Sequence, residues 1–235
     1  MKFNWKFFGY LFLLMLTIGI SQAQNKKTDK FINNYMDVAL LNVNRGKKML
    51  LKWEGKDTLK YRIYWKFQYL GKNEWINYLT EIGQLINKTI ISTDSKDFDI
   101  ILFFGTLRDY SIFTRSYVPN SVVSKYGYWN DYNWNKQYQL IYASGCIDPS
   151  IISSKNEGGF LVKKQFLRTL GIIGVIDDRF SLLHEKGYSS NKKLSRLDKR
   201  LIKLHYHDSI KTGLNTDDLK TTVKSISNLE EFSKR

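Results

Sequence analysis

The chain has 235 residues, 43% of them hydrophobic, which suits one domain with enough apolar side chains for a core. Its only cysteine is Cys146, which excludes an intrachain disulfide and leaves packing alone to hold the fold. The net charge of +15 favours anionic partners. The cations are dispersed, however, in short clusters such as Lys47-Lys48, Lys163-Lys164 and Lys192-Lys193. With no nucleic-acid motif and no basic stripe, no nucleic-acid partner is expected, and a mostly solvated basic surface is the preferred reading.

Lys2 and Lys6 give a basic start, and Phe7 to Ile20 follows as an apolar run. Ser21-Gln22-Ala23 then places small residues where a signal peptidase reads. Residues 1–23 are expected to be a signal peptide, cleaved after Ala23, with export to the periplasm or the outside. The competing reading is an uncleaved anchor, for which the run is short. No later stretch reaches the ~18 consecutive apolar residues of a span, so no membrane span is expected after cleavage. Losing 23 of 235 residues would leave 212, and losing Lys2 and Lys6 would lower +15 to +13. One domain is expected over 24–214, with a polar C-terminal tail over 215–235 that forms one amphipathic helix with a frayed end. No repeat or Pro/Gly-rich linker divides it.

Spacing predicts a first helix over 28–41, carrying Phe31, Tyr35, Val38 and Leu41. A basic turn follows at Asn44-Arg45-Gly46-Lys47. Strands are expected at Leu50–Trp53 and Leu59–Tyr69, the second alternating apolar and polar residues. Trp75–Ile86 returns to helical spacing. Phe98–Phe104 is a continuous apolar run suited to a strand buried on both faces. Tyr126 to Tyr138 interleaves aromatics, Trp129 and Trp134 among them, with Asn, Asp and Gly. Such rings can stack on sugars, but a hairpin whose rings pack on the sheet is the preferred reading. Gln139–Ala143 is then a strand, with a turn at Cys146–Pro149. Cys146 reads as a small core residue. The second half is helical: Gly159–Leu170, stopped by Gly171, and Ser195–Tyr206, with Ser195 and Asp198 in capping-box spacing.

Residues 163 to 171, Lys-Lys-Gln-Phe-Leu-Arg-Thr-Leu-Gly, occupy the frame of a zinc-peptidase helix. Such a helix needs His at i and i+4 to grip one ion, and Glu at i+1 to activate its water. Here Lys164 and Arg168 take the ligand positions and Gln165 the base position. Cations have no lone pair for a metal and repel Zn²⁺. Gly174 stands where an extended pattern would place another ligand. The three histidines, His184, His205 and His207, do not rebuild the site. His205 and His207 are expected at the surface or a helix end, favourable beside the last carbonyls. No catalytic residue, metal ligand or cofactor is therefore assigned.

The stretch from Lys163 to Gly213 resembles a family of secreted bacterial zincin-like proteins, a domain of unknown function. The resemblance rests on Leu170-Gly171, Asp177 or Asp178, Ser181-Leu182-Leu183, Asp198 to Ile202, Leu204-His205-Tyr206 and Gly213. Leu51-Lys52-Trp53, leading into the strand from Leu59, extends it over most of the chain. Family members often carry Glu at the positions of Lys164 and Gln165, and Gln at that of Arg168. This chain departs at all three, which weakens any transfer of chemistry. The resemblance implies an α+β, zincin-like fold: a mixed sheet packed on a long central helix around residues 160 to 170, with a helical C-terminal half.

Three functions compete. In the first, a non-catalytic exported pseudoenzyme binds an envelope partner, anionic or glycan. Lys163, Lys164 and Arg168 would then floor a site for a carboxylate or other anion. A solvated helix face is the plainer reading of the same residues. In the second, a hydrolase or peptidase uses a non-standard site drawn from Asp177, Asp178, His184, Glu185 and Asp198. In the third, a glycan-binding module uses the Tyr126–Tyr138 aromatics, chiefly Trp129 and Trp134.

Overall fold

A computed structural model describes residues 25–44, 46–64, 70–119, 128–184, 193–226, 229 and 232. Residues 25–39 form helix α1. It stops two residues before the expected end because the chain leaves it directly as strand β1 (Leu40–Asn44). β1 pairs antiparallel with β2 (Lys47–Leu50), and Gly46 turns between them at φ 84°. The strand expected over Leu50–Trp53 thus comes earlier. Beyond β2 the backbone leaves the hairpin, since the Leu50 amide donates to the Leu214 carbonyl and Lys52 makes only an isolated bridge with Gln139.

β3 (Thr58–Tyr64) follows, and the rest of the strand expected to Tyr69 lies outside the described residues. Next come α2 (Lys72–Ile86), β4 (Thr89–Ser92), β5 (Ile100–Phe104) and α3 (Leu107–Thr114). β6 (Tyr128–Trp134) and β7 (Leu140–Ile147) form a hairpin, with Tyr126 outside the described residues. After a 3₁₀ turn at Pro149–Ile151, the named elements are helices: α4 (Lys155–Thr169), α5 (Arg196–His205) and α6 (Thr216–Ser225).

The five-stranded sheet has the order β4-β3-β5-β7-β6. All neighbours are parallel except β6, the edge strand, which runs antiparallel to β7. The fold is therefore mixed α+β. β5 lies between β3 and β7 with every residue buried, as its unbroken apolar run requires. Its side chains alternate between two cores. Ile100, Leu102 and Phe104 join the main core shared with α1, α2, α4, α5 and α6. Ile101 and Phe103 join a smaller cluster with Leu107 and Tyr110 of α3.

β7 runs past its expected end at Ala143, and the turn expected from Cys146 begins only at Asp148. Cys146 is fully buried in the smaller cluster. Ser144-Gly145 looks like a turn in sequence, but here small residues let α4 approach the sheet. A Cβ on Gly145 would stand 3.6 Å from the Cβ of Gln165 and 3.1 Å from the Asn130 amide nitrogen.

α4 starts where the Ser154 hydroxyl accepts from the Glu157 amide at 3.2 Å, while the Glu157 carboxylate accepts from the Ser153 amide at 2.8 Å. It ends before Gly171, whose φ of 90° and position under Leu51 leave no room for a side chain. α5 carries the expected capping box between Ser195 and Asp198. α6 turns Leu219 and Val223 into the main core.

Candidate functional site

From Gly158 onward α4 is buried on nearly every side, and this includes two of its charged residues, Lys163 and Lys164, while Arg168 is half-buried. Lys163 and Lys164 are each 4% exposed and Gln165 is fully covered. The solvated helix face is thereby corrected for Lys163 and Lys164: α4 packs on β7, β6 and β5, and Tyr78 and Glu74 of α2 reach it at Lys163. Long aliphatic stems bury while each polar tip seeks a partner.

The cations then part company. Lys163 turns toward α2, where its ammonium pairs with Glu74 at 2.8 Å and sits 5.6 Å over the Tyr78 ring. It takes no place in a floor with its neighbours. Lys164 donates to the His184 carbonyl at 2.7 Å and lies 5.5 Å over the Phe160 ring. Burial, seconded by the Arg168 charge, pushes its pKa down to about 7. Arg168 lays its guanidinium 5.1 Å over the Tyr128 ring, and its buried Nε has no hydrogen-bond partner among the described residues. Both polar atoms of the Gln165 amide are also buried without a partner.

Beside Arg168 opens a cavity of about 330 Å³. Leu41 of β1, Ile173 beyond α4, and Tyr128, Trp129, Asn130 and Tyr132 of β6 wall it. Arg168 is the charged group in that wall. The Tyr132 hydroxyl is buried and unpartnered, and burial raises its pKa while Arg168 opposes the rise. Arg168 and Trp129 thus meet at the cavity, whereas Lys164 and Gln165 lie outside its wall. The Trp129 ring packs on the smaller cluster and Trp134 on the main core, as in a hairpin whose rings pack on the sheet. Sequence reasoning did not single out Tyr132, Leu41 or Ile173. The alternation Tyr128, Asn130, Tyr132 on an edge strand was the signal available for Tyr132.

Among the acid and base candidates, Asp177 and Asp178 line one cavity, while Asp198 is turned away into the core. Asp198 is fully buried and accepts from the Ser181 hydroxyl, the Leu182 amide at 3.1 Å and the Ser195 amide at 2.8 Å. It holds two segments together, although desolvation raises its pKa. Asp178 caps its own turn, accepting from the Phe180 amide at 2.9 Å. His184 lends its carbonyl to Lys164, and its Nδ1 is without a partner. Glu185 lies outside the described residues. Burial pushes the Cys146 thiol pKa well up, away from a nucleophile's range. Among the described residues no three His, Cys, Asp or Glu side chains gather as a metal site would require.

His205 and His207 do stand at a helix end, with His205 the last residue of α5, but a surface place for His205 needs correction. His207 is partly covered just past α5, but His205 is fully buried. Burial, with Lys52 nearby, lowers its pKa to about 3, so it is neutral. Its Nε2–H donates to the Leu51 carbonyl at 3.1 Å, which leaves Nδ1 to accept from the Tyr35 hydroxyl at 3.5 Å. Around it the end of α4 is tied down. The Trp53 indole donates to the Thr169 carbonyl and the Tyr206 hydroxyl to the Leu170 carbonyl, both at 2.9 Å. The Gly213 amide reaches the Leu50 carbonyl at 2.9 Å, and the Lys52 ammonium reaches the Ile210 carbonyl. Leu51-Lys52-Trp53, Leu170-Gly171, Leu204-His205-Tyr206 and Gly213 are therefore parts of one interlock.

Compared with models of known protein families and with curated proteins, the chain matches none.

Proposed function

We propose that this is an exported, non-catalytic protein of zincin-like fold that binds a ligand between α4 and β6. Support for the frame comes from the mixed sheet packed on α4, the helices that follow, and the interlock at the end of α4. Export is supported by the basic start, apolar run and small residues of the first 23 positions.

One observation carries the functional reading. Lys164 and Arg168 stand at metal-ligand spacing on one face of α4 with Gln165 between them. The Gln165 amide and the Arg168 Nε have no hydrogen-bond partner among the described residues. Arg168, which cannot hold a metal, lines the cavity with its Nε unmet, and this favours ligand binding over metal hydrolysis. Trp129 and Trp134 are engaged in packing, which gives the glycan reading less support.

The test is metal content by elemental analysis of the purified protein, read beside peptidase activity on a mixed peptide pool. The expected result is substoichiometric zinc and no cleavage above the background of a Gln165→Ala variant. One zinc per chain together with cleavage would overturn the reading.

A further inference from the structure

The cavity beside Arg168 combines two features that restrict what can fill it. Its walls are mostly apolar or aromatic: Leu41, Ile173, Tyr128 and Tyr132. Yet three hydrogen-bond donors of residues lining it, the Arg168 Nε, the Tyr132 hydroxyl and the Trp129 indole N–H, are buried and have no partner among the described residues. A buried donor without an acceptor works against the fold, so three gathered on the residues of one cavity call for an acceptor from outside the chain.

We infer that the cavity takes a carboxylate carried on a small apolar or aromatic body. A guanidinium is matched by an oxyanion, and a carboxylate offers one oxygen to Arg168 and a second to Tyr132. The phenol stays protonated, because burial raises its pKa, so it remains a donor at neutral pH. The guanidinium is held 5.1 Å over the Tyr128 ring, which lowers the ordering cost of binding. At about 330 Å³ the space sits at the small end of ligand pockets and suits one ring or a short aliphatic chain. Phosphate esters are disfavoured, since they would bring a double charge and a large hydration shell against Leu41 and Ile173. The inference rests on the cleft being the binding site, but not on the absence of catalysis.

The same chemistry has two sources: a free apolar acid, or the C-terminal carboxylate of a peptide ending in an apolar residue. The experiment is titration calorimetry on the purified full chain with four probes. These are 3-phenylpropionate, 3-phenylpropanamide, and a peptide ending in Leu-Phe with a free or an amidated terminus. The expected result is saturable binding of the free acid, with a Kd on the order of 0.1–1 mM for so small a ligand. The amide should bind at least about tenfold more weakly, as loss of a charge-assisted pair implies. A free-terminus peptide that binds more tightly than 3-phenylpropionate assigns the site to chain ends. Binding of 3-phenylpropionate alone assigns it to small acids.

Arg168→Gln should weaken acid binding at least about tenfold, and Tyr132→Phe about threefold or more. Tyr132→Phe removes one oxygen and keeps the ring, so it tests the site even where Arg168→Gln disturbs folding. Equal binding of acid and amide, no saturation by either acid, or Tyr132→Phe binding as the parent does would each overturn the inference. Zinc and peptidase activity with acid binding intact would instead overturn only the non-catalytic reading.

Discussion

Lys164→Met tests whether α4 is buried at its charged positions. In the folded chain the Lys164 ammonium has its pKa lowered from 10.5 to about 7 by desolvation, then by Arg168. The unfolded chain keeps the ordinary value. A gap of about 3.5 between 10.5 and 7, at 1.36 kcal/mol per pKa unit, sets an upper bound of about 5 kcal/mol. Below about pH 7 both states are charged, and the fold bears the whole cost. Between pH 7 and 10.5 the unfolded state binds the proton and the folded state does not, so stability rises with pH. Above 10.5 the cost is gone.

Methionine keeps the unbranched stem and removes the charge. It also strands the His184 carbonyl, at about 1–2 kcal/mol. The variant should therefore be more stable than the parent by about 2–4 kcal/mol at pH 6, and nearly equal to it by pH 9. Urea unfolding of both proteins at pH 6, 7, 8 and 9 measures this. Lys52 and Lys88 also have lowered pKa values, so the difference between the two proteins is the readout, not the parent curve. Parallel curves, or a Lys164→Met protein weaker at every pH, would refute the burial of this ammonium.

Other outcomes follow from the interlock. Gly171→Ala places a methyl 2.1 Å from the Leu51 carbonyl oxygen at φ 90°, whereas Gly55→Ala at φ 71° meets nothing within 4 Å. The left-handed backbone costs each about 1–2 kcal/mol, so Gly171→Ala should lose at least about 2 kcal/mol more than Gly55→Ala in urea unfolding. Equal losses would contradict the close approach. His205 has its pKa lowered from 6.5 to about 3, so the unfolded state protonates first as pH falls. Stability is then lost from about pH 6.5 down to about 3, at roughly 1.4 kcal/mol per pH unit. His205→Asn should flatten the unfolding curve between pH 6 and 4; an unchanged slope would show that His205 does not drive that limb.

The sequence was most legible where a local signal met no competing long-range one. Trp75, Leu79, Ile82 and Ile86 mark α2 because their spacing and their burial agree. Ser195 and Asp198 announce α5 because both halves of the cap lie within one turn. The burial of Lys163, Lys164 and His205 was not legible, because their partners are remote. Glu74 comes from α2, and the Leu51 carbonyl from a segment 154 residues away. Periodicity counts charge as exposure and has no means of seeing a partner at that distance. The tail end of β7 was hidden for a related reason. Gly145 is a turn residue locally, but here it admits α4 to the sheet. At the candidate site, Arg168 was found by its spacing to Lys164. Tyr132 was not distinguished from the other aromatics, because only the fold separates the cavity side of β6 from the rest.

The interlock and the middle of α4 differ in what they do for stability. At Thr169 to Gly171 the polar groups nearby are met: carbonyls take the Trp53, Tyr206 and His205 donors. At Gln165 they are not, and a buried amide with both ends unmet works against the fold by about 1–3 kcal/mol for each group. A position selected for folding alone would carry an apolar residue there, beside the main-core residue Phe166. Gln165→Met, which keeps length and removes the amide, should therefore raise the urea midpoint by the equivalent of about 1–3 kcal/mol. The interlock begins one turn further on, at Thr169, and its hydrogen bonds do not use the Gln165 side chain, so it should be untouched. If Gln165 instead orients a bound carboxylate through Asn130, the same variant will weaken 3-phenylpropionate binding while it stabilises the fold. Stability gained with binding lost would mark Gln165 as kept for the site. A less stable Gln165→Met would show that its amide is satisfied in the folded chain, and would remove one of the unmet groups on which the binding reading stands.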